Sequence, residues 1–126
     1  THSDRTTVYR PAIPVSLRGK FILDCMAIID SGADTSVITE EIARCLGIST
    51  DGQMARSYGV GGLVTSVDAS MDVHVSIGNY SRNIHIPVKV ILGEHSFPVL
   101  LGREGFFDAF RVLFDQVNRR IELFPN

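Results

Sequence analysis

The stretch Ala27-Ile28-Ile29-Asp30-Ser31-Gly32-Ala33-Asp34-Thr35 carries an apolar run straight into one carboxylate and, past a glycine, to a second. A carboxylate held at the end of an apolar strand can serve as a general base, or as a general acid if its surroundings keep it protonated. Gly32 suits such a place, because a residue without Cβ lets other groups approach the backbone closely. Taken alone, Asp30-Ser31-Gly32 is equally an ordinary polar turn. A calcium loop starting at Asp30 is excluded by spacing, since Gly32 stands where an oxygen ligand is needed and Thr35 where a glycine is needed.

Two further stretches could belong to the same chemistry. Ser57-Tyr58-Gly59-Val60-Gly61-Gly62-Leu63-Val64 has the glycines of a phosphate cradle but not their spacing, and no Lys-Ser or Lys-Thr follows. It fits a β-hairpin whose tip combines glycines with one apolar residue, either a mobile flap or a plain turn. Phe97-Pro98-Val99-Leu100-Leu101-Gly102-Arg103 runs an apolar strand into a glycine and an arginine, ahead of a short helix expected over 103–110.

The elements that must position these residues are mostly strands. Ile13, Val15 and Leu17 alternate before a turn at Arg18-Gly19-Lys20, and a strand is expected from Phe21 to Ile29. Met71, Val73, Val75 and Ile77 share one face of a second alternating run. After a turn at Gly78-Asn79 the pattern returns through Ile84, Ile86, Val88 and Val90. A terminal hairpin is expected at about 111–124, turning at Gln116 to Asn118. One helix is expected after Thr39, which can cap it, with Glu40 and Glu41 in the first turn and Gly47 past its end.

The length of 126 residues allows one domain and leaves no room for two. Twelve basic against fourteen acidic residues leave a net charge of −2, so no basic surface invites nucleic acid. The longest apolar runs are far short of a membrane span. The four histidines show no paired-ligand spacing, so no metal site is expected. Cys25 and Cys45 fall in strand-like and helix-like runs, where two buried free thiols are expected rather than a disulfide. A chain that opens on Thr1 is expected to be a processed or excised piece, with an intracellular setting favoured.

In order along the chain, "AIIDSGADT", "GVGGLV" and "VLLGR" resemble the active-site loop, flap tip and following strand of the retroviral-type (retropepsin-like) aspartic proteases. The resemblance runs from about residue 10 to 107 and is extended by the C-terminal hairpin, which the shortest viral members lack. It implies an all-β, closed barrel-like fold with one or two short helices, active as a C2 homodimer, and an aspartic endopeptidase acting on peptide or protein substrates without a cofactor. Asp30 would be the catalytic acid, and Ser31 would bridge the two active-site loops. The backbone at Gly32 and Asp34 would hold an extended peptide. Ile28, Ala33, Val37, Val60, Pro98 and Leu100 would wall the pockets, implying a preference for hydrophobic residues at the cut, and Gly59, Gly61 and Gly62 would hinge the flap. Asp34 and Arg103 would form an ion pair, with Arg10 reaching Asp34 of the partner.

Only one Asp-Ser-Gly is present. A second catalytic carboxylate is therefore expected from Asp30 of another copy, which a two-fold axis can place beside the first. A non-catalytic peptide-binding or dimerisation module on the same fold is the alternative, because fold does not dictate function.

Overall fold

The computed structural model describes residues 11–59 and 62–126, and at 57–59 the backbone only. Arg10, Val60 and Gly61, named above, lie outside the described residues.

The expected alternation forms strands. β1 (Ala12–Arg18) turns back into β2 (Ile22–Ile29) with Val15 opposite Cys25, burying Ile13, Val15 and Leu17 on one face and leaving Pro14 exposed on the other. β5 (Gly62–Ile77) and β6 (Tyr80–Ile91) form the longest ladder. Met71, Val73, Val75, Ile84, Ile86, Val88 and Val90 all point inward from it. Each such side chain removed from water contributes about 1.5–3 kcal/mol, which makes a one-residue slip of register costly. β5 reaches further back than the alternation suggests, because its first residues pair with β4 (Met54–Gly59).

Two short strands complete the sheet. β3 (Ser36–Thr39), not anticipated from the sequence, runs parallel to β6, while β7 (Val99–Leu101) lies between β2 and β3, parallel to the first and antiparallel to the second. The order β1-β2-β7-β3-β6-β5 closes on itself through Ser16–His74, Leu17–Val73 and Arg18–Asp72. Six strands thus make the closed barrel that the sequence led us to expect, and closure removes the open edges. The β4–β5 hairpin projects from the ring, and β8 (Phe110–Asp115) with β9 (Arg120–Pro125) forms a separate two-stranded sheet. Among the described residues no helix is long and apolar enough to cross a membrane.

α1 (Glu40–Leu46) begins and ends as its caps dictate. The Thr39 side chain accepts from the Ile42 N–H at 3.2 Å, and Gly47, at φ 69°, donates back to the last turn. Thr39→Ala is expected to lower stability by about 1 kcal/mol, read as a melting temperature about 3–5 °C lower.

Two expectations need correction. The short helix expected over 103–110 is mostly a wide turn at Arg103–Phe107, with non-helical backbone at Glu104 and Gly105. Gly105 adopts φ 88° and its N–H donates to Asp108 Oδ2 at 3.0 Å, which bends the chain away from a regular helix. Its backbone also lies against Ile86, so that a Cβ there would come within 2.6 Å of Ile86 Cγ2. Of the two cysteines expected to be buried, both are free, but Cys45 is exposed on α1 and Cys25 is only half-buried. α1 is amphipathic, and its inward positions are taken by Ala43 and Leu46. Partial burial and the neighbouring Asp24 charge push the Cys25 thiol up.

Candidate active site

Asp30 leaves the barrel where β2 ends. Its N–H donates to the Leu101 carbonyl at 2.9 Å, and the Ile29 N–H donates to Pro11 O at 2.8 Å, so backbone on both sides fixes the strand end. The chain then turns, with the Ala33 N–H donating to Asp30 O at 3.2 Å. Within this turn the Gly32 N–H donates to Asp30 Oδ1 at 2.9 Å, which holds one carboxylate oxygen in place and leaves the other free of described protein partners. Asp30 is half-buried, while Ser31 and Gly32 are exposed. A positioned, accessible carboxylate of this kind can take a proton from water or share one with a second acid.

A second segment clamps the loop from behind. Arg103 N–H donates to Ala33 O at 2.9 Å and Glu104 N–H to Asp34 O at 2.8 Å. Gly102 N–H donates to the buried Ser36 hydroxyl at 3.0 Å, and Thr35 Oγ1 donates to Glu104 Oε1 at 3.2 Å. Gly102 is buried so tightly that a Cβ would stand 2.7 Å from the Thr35 carbonyl carbon. The strand running into Gly102 was visible in the sequence. The buried Ser36 and the Thr35–Glu104 contact were not, because neither residue type signals such a partner so far along the chain.

The Arg103 guanidinium pairs with the Asp34 carboxylate. Both side chains are largely exposed, Asp34 at 82% and Arg103 at 59%, so as it stands this pair contributes little, about 0–1 kcal/mol. It does occupy Asp34, whose backbone is already tied to Glu104.

Ile28, Leu100 and Val37 stand abreast on three neighbouring strands, through the Ile28–Leu100 and Val37–Leu100 pairings. Residues paired in this way share a face, and this one is opposite the core-directed Ala27, Ile29 and Leu101. All three are half-buried, as is Ala33 within the loop, whereas Pro98 is exposed. The hairpin that carries the glycine-rich stretch closes with Gly59 opposite Gly62, and Gly62 at φ 120° takes a conformation open to glycine and few others.

Sequence reasoning missed one neighbourhood. A cleft of about 320 Å³ is lined by Pro11, Ile29, Asp30 and Ser31 together with Phe114 and Gln116 from the C-terminal hairpin. A groove of about 370 Å³ lies elsewhere, between Ile13, Val75 and Ile77 on the barrel and Ile121, Leu123 and Phe124 on β9, and it does not include Asp30. The smaller cleft is the one that holds Asp30.

Comparison with known proteins bears on this geometry. A family model described as aspartyl protease matches residues 13–104. Among solved structures, the EIAV protease in complex with the inhibitor HBY-793 is similar at 26% identity and TM-score 0.51, over 75% of this chain and 82% of that one. A retropepsin-like aspartic protease from Rickettsia conorii shares the fold at 22% identity and TM-score 0.59, over 83% and 76%. The retroviral protease-like domain of Ddi1 from Leishmania major shares it at 15% identity and TM-score 0.61, over 93% and 90%. Among curated proteins none matches the chain.

Proposed function

Because the chain belongs to the aspartyl protease family and has a retropepsin-like fold, we propose that it is an endopeptidase whose single active site forms between two copies of itself. The observation that carries this reading is Asp30, accessible at the end of β2 with one oxygen held by the Gly32 N–H, in a chain with only one Asp-Ser-Gly. Asp34 is a poor candidate for the second acid because it is already paired with Arg103.

Two Asp30 carboxyl groups brought within about 3 Å cannot both be charged, so they share one proton. The ionised member takes a proton from a water molecule as that water attacks the scissile carbonyl carbon. The protonated member hydrogen-bonds the carbonyl oxygen and transfers its proton to it, so that a tetrahedral diol results. Transfer of a proton to the amide nitrogen then lets the C–N bond break, which releases a carboxyl and an amine product and returns the pair to its shared-proton state.

The remaining roles follow position by position. Ser31, exposed beside Asp30, would link the two active-site loops through its hydroxyl. Backbone at Gly32 and Asp34 would bind an extended peptide as an added strand. The strip of Ile28, Leu100 and Val37, with Ala33 and Pro98, would wall apolar side-chain pockets, favouring hydrophobic residues on either side of the cut. The β4–β5 hairpin, with Gly59 and Gly62 at its closing pair, would act as a flap that excludes water once substrate is bound.

The test is cleavage of a hydrophobic peptide library between about pH 4 and 7, repeated across a dilution series with sedimentation in parallel. Specific activity is expected to fall as dimers dissociate. Activity that scales linearly with protein down through a purely monomeric range would end the shared-site reading. Peptide binding without any cutting would assign the chain to the alternative, a binding module.

A further inference from the structure

We propose that Glu104 is a specificity-determining residue, a fixed negative charge at the outer end of the substrate cleft that selects peptides with a lysine or arginine a few positions from the cut. This rests on the endopeptidase reading above and adds a charged element to its substrate class.

The apolar strip of Ile28, Leu100 and Val37 extends to Thr35. Along β3, Ser36 and Ile38 are buried and Val37, between them, is half-buried on the other face. Thr35, two residues before Val37, is also half-buried, so the same period of two puts it on the Val37 side. At this end the strip meets a carboxylate. Thr35 Oγ1 donates to Glu104 Oε1 at 3.2 Å, and the Glu104 N–H donates to Asp34 O at 2.8 Å. Side chain and backbone of Glu104 are thus both tied to the loop that would hold the peptide. Glu104 is exposed, and among the described residues its second carboxylate oxygen has no hydrogen-bond partner.

The other charges on this side cancel in pairs. Asp34 is taken by Arg103, and Lys89, which stands opposite Val37 on β6, is taken by Asp68 at 2.8 Å. No cation among the described residues is paired with Glu104 in this way. A peptide laid along Gly32 and Asp34 carries its outer side chains past Thr35. Lysine and arginine suit that place, because their methylene stems cover apolar surface while the charged head reaches beyond it to the carboxylate. An acidic side chain there meets a like charge instead. In a two-fold dimer a Glu104 lies on each side of the cut, so the preference holds in both directions.

The experiment uses peptides with a common hydrophobic pair at the cut and Lys or Glu placed in turn at the second, third and fourth positions on each side. The parent chain, Glu104→Gln and Glu104→Lys are compared. The quantity read is the kcat/KM ratio of Lys peptide to Glu peptide on one preparation, in which any general loss from a loosened loop cancels. The parent is expected to favour Lys by about tenfold at the best position on either side. Glu104→Gln, whose amide oxygen can still accept from Thr35, should bring the ratio to within about twofold of unity, and Glu104→Lys should invert it. Raising the salt from about 0.1 M to about 1 M shortens the screening length from about 10 Å to about 3 Å, which should shrink the parent's ratio to about threefold. That measurement needs no variant at Glu104 and stands even if a substituted chain fails to fold. Binding of the same peptides to Asp30→Asn, which holds substrate without cutting it, should show the same order.

A parent that cuts but does not favour Lys, or a folded Glu104→Lys chain with the parent's ratio, would overturn this role of Glu104 and leave the protease reading in place. A chain that cuts nothing yet binds Lys peptides more tightly than Glu peptides would uphold the charge selection and end the protease reading. A chain that neither cuts nor discriminates would overturn both.

Discussion

Replacing Asp30 with Asn is expected to abolish peptide cleavage, lowering kcat/KM by about a thousandfold or more while leaving the fold unchanged. Asparagine matches the aspartate in shape and keeps an oxygen to accept from the Gly32 N–H, the contact that positions the side chain at 2.9 Å. What it loses is the ability to ionise or to carry a shared acidic proton. In a homodimer one substitution removes both members of the pair, so neither the base nor the acid survives. A thousandfold loss corresponds to about 4 kcal/mol of transition-state stabilisation. The melting temperature should move by no more than about 2 °C, because the change keeps the volume and the hydrogen bond of a partly exposed residue. Cleavage within about tenfold of the parent, in protein free of contaminating peptidases, would take Asp30 out of the mechanism.

Gly102→Ala is expected to be damaging, although the change is conservative and lies outside the loop that bears Asp30. The backbone at Gly102 has φ −100° and ψ −172°, which any residue can adopt, so the need for glycine is one of space. A methyl group there would lie 2.7 Å from the Thr35 carbonyl carbon and 2.8 Å from the carbonyl oxygens of Ala33 and Thr35. These are main-chain atoms and cannot rotate aside as a side chain could. The strand end or the loop has to move, and the Arg103–Ala33, Glu104–Asp34 and Gly102–Ser36 hydrogen bonds are the contacts that would be stretched.

Overpacking of this kind costs about 3 kcal/mol, or about 10 °C in melting temperature for a domain of this size. Displacing the loop by even about 1 Å is expected to lower kcat by about a hundredfold in the molecules that remain folded. Calorimetry and steady-state kinetics on one preparation separate the two effects. A variant that melts within about 2 °C of the parent would show that the clamp yields more easily than its geometry implies.

Both predictions concern a loop whose proposed chemistry was suggested by the sequence and whose support was not. Asp30, Ser31 and Gly32 stood out as a polar turn at a strand end, and the role proposed for them came only with the ordered resemblance of three separated motifs. The apolar run marked Gly102 as the end of a strand, whereas Arg103 became the companion of Asp34 only through the same resemblance. Nothing in the sequence paired Ser36 with Gly102, because a serine at the start of a short strand has no distinctive signature. The wide turn at Arg103–Phe107 was mistaken for a helix for a similar reason. Its composition permits a helix, and the deciding influences were the packing of Gly105 against Ile86 and the N–H taken up by Asp108.

The sequence by itself determined what depends on near neighbours. Period-two alternation set the inward faces of β1, β5 and β6, Thr39 and Gly47 bounded α1, and a polar turn set the C-terminal hairpin. Tertiary structure alone decided that β7 would lie between β2 and β3, that the ring would close through β1 and β5, and that Phe114 and Gln116 would stand beside Asp30. The physical reason is range. Caps, turns and alternation act over a few residues and leave their mark in composition, whereas strand insertion and barrel closure are selected by the total burial of many side chains distant in sequence, no one of which has to be distinctive.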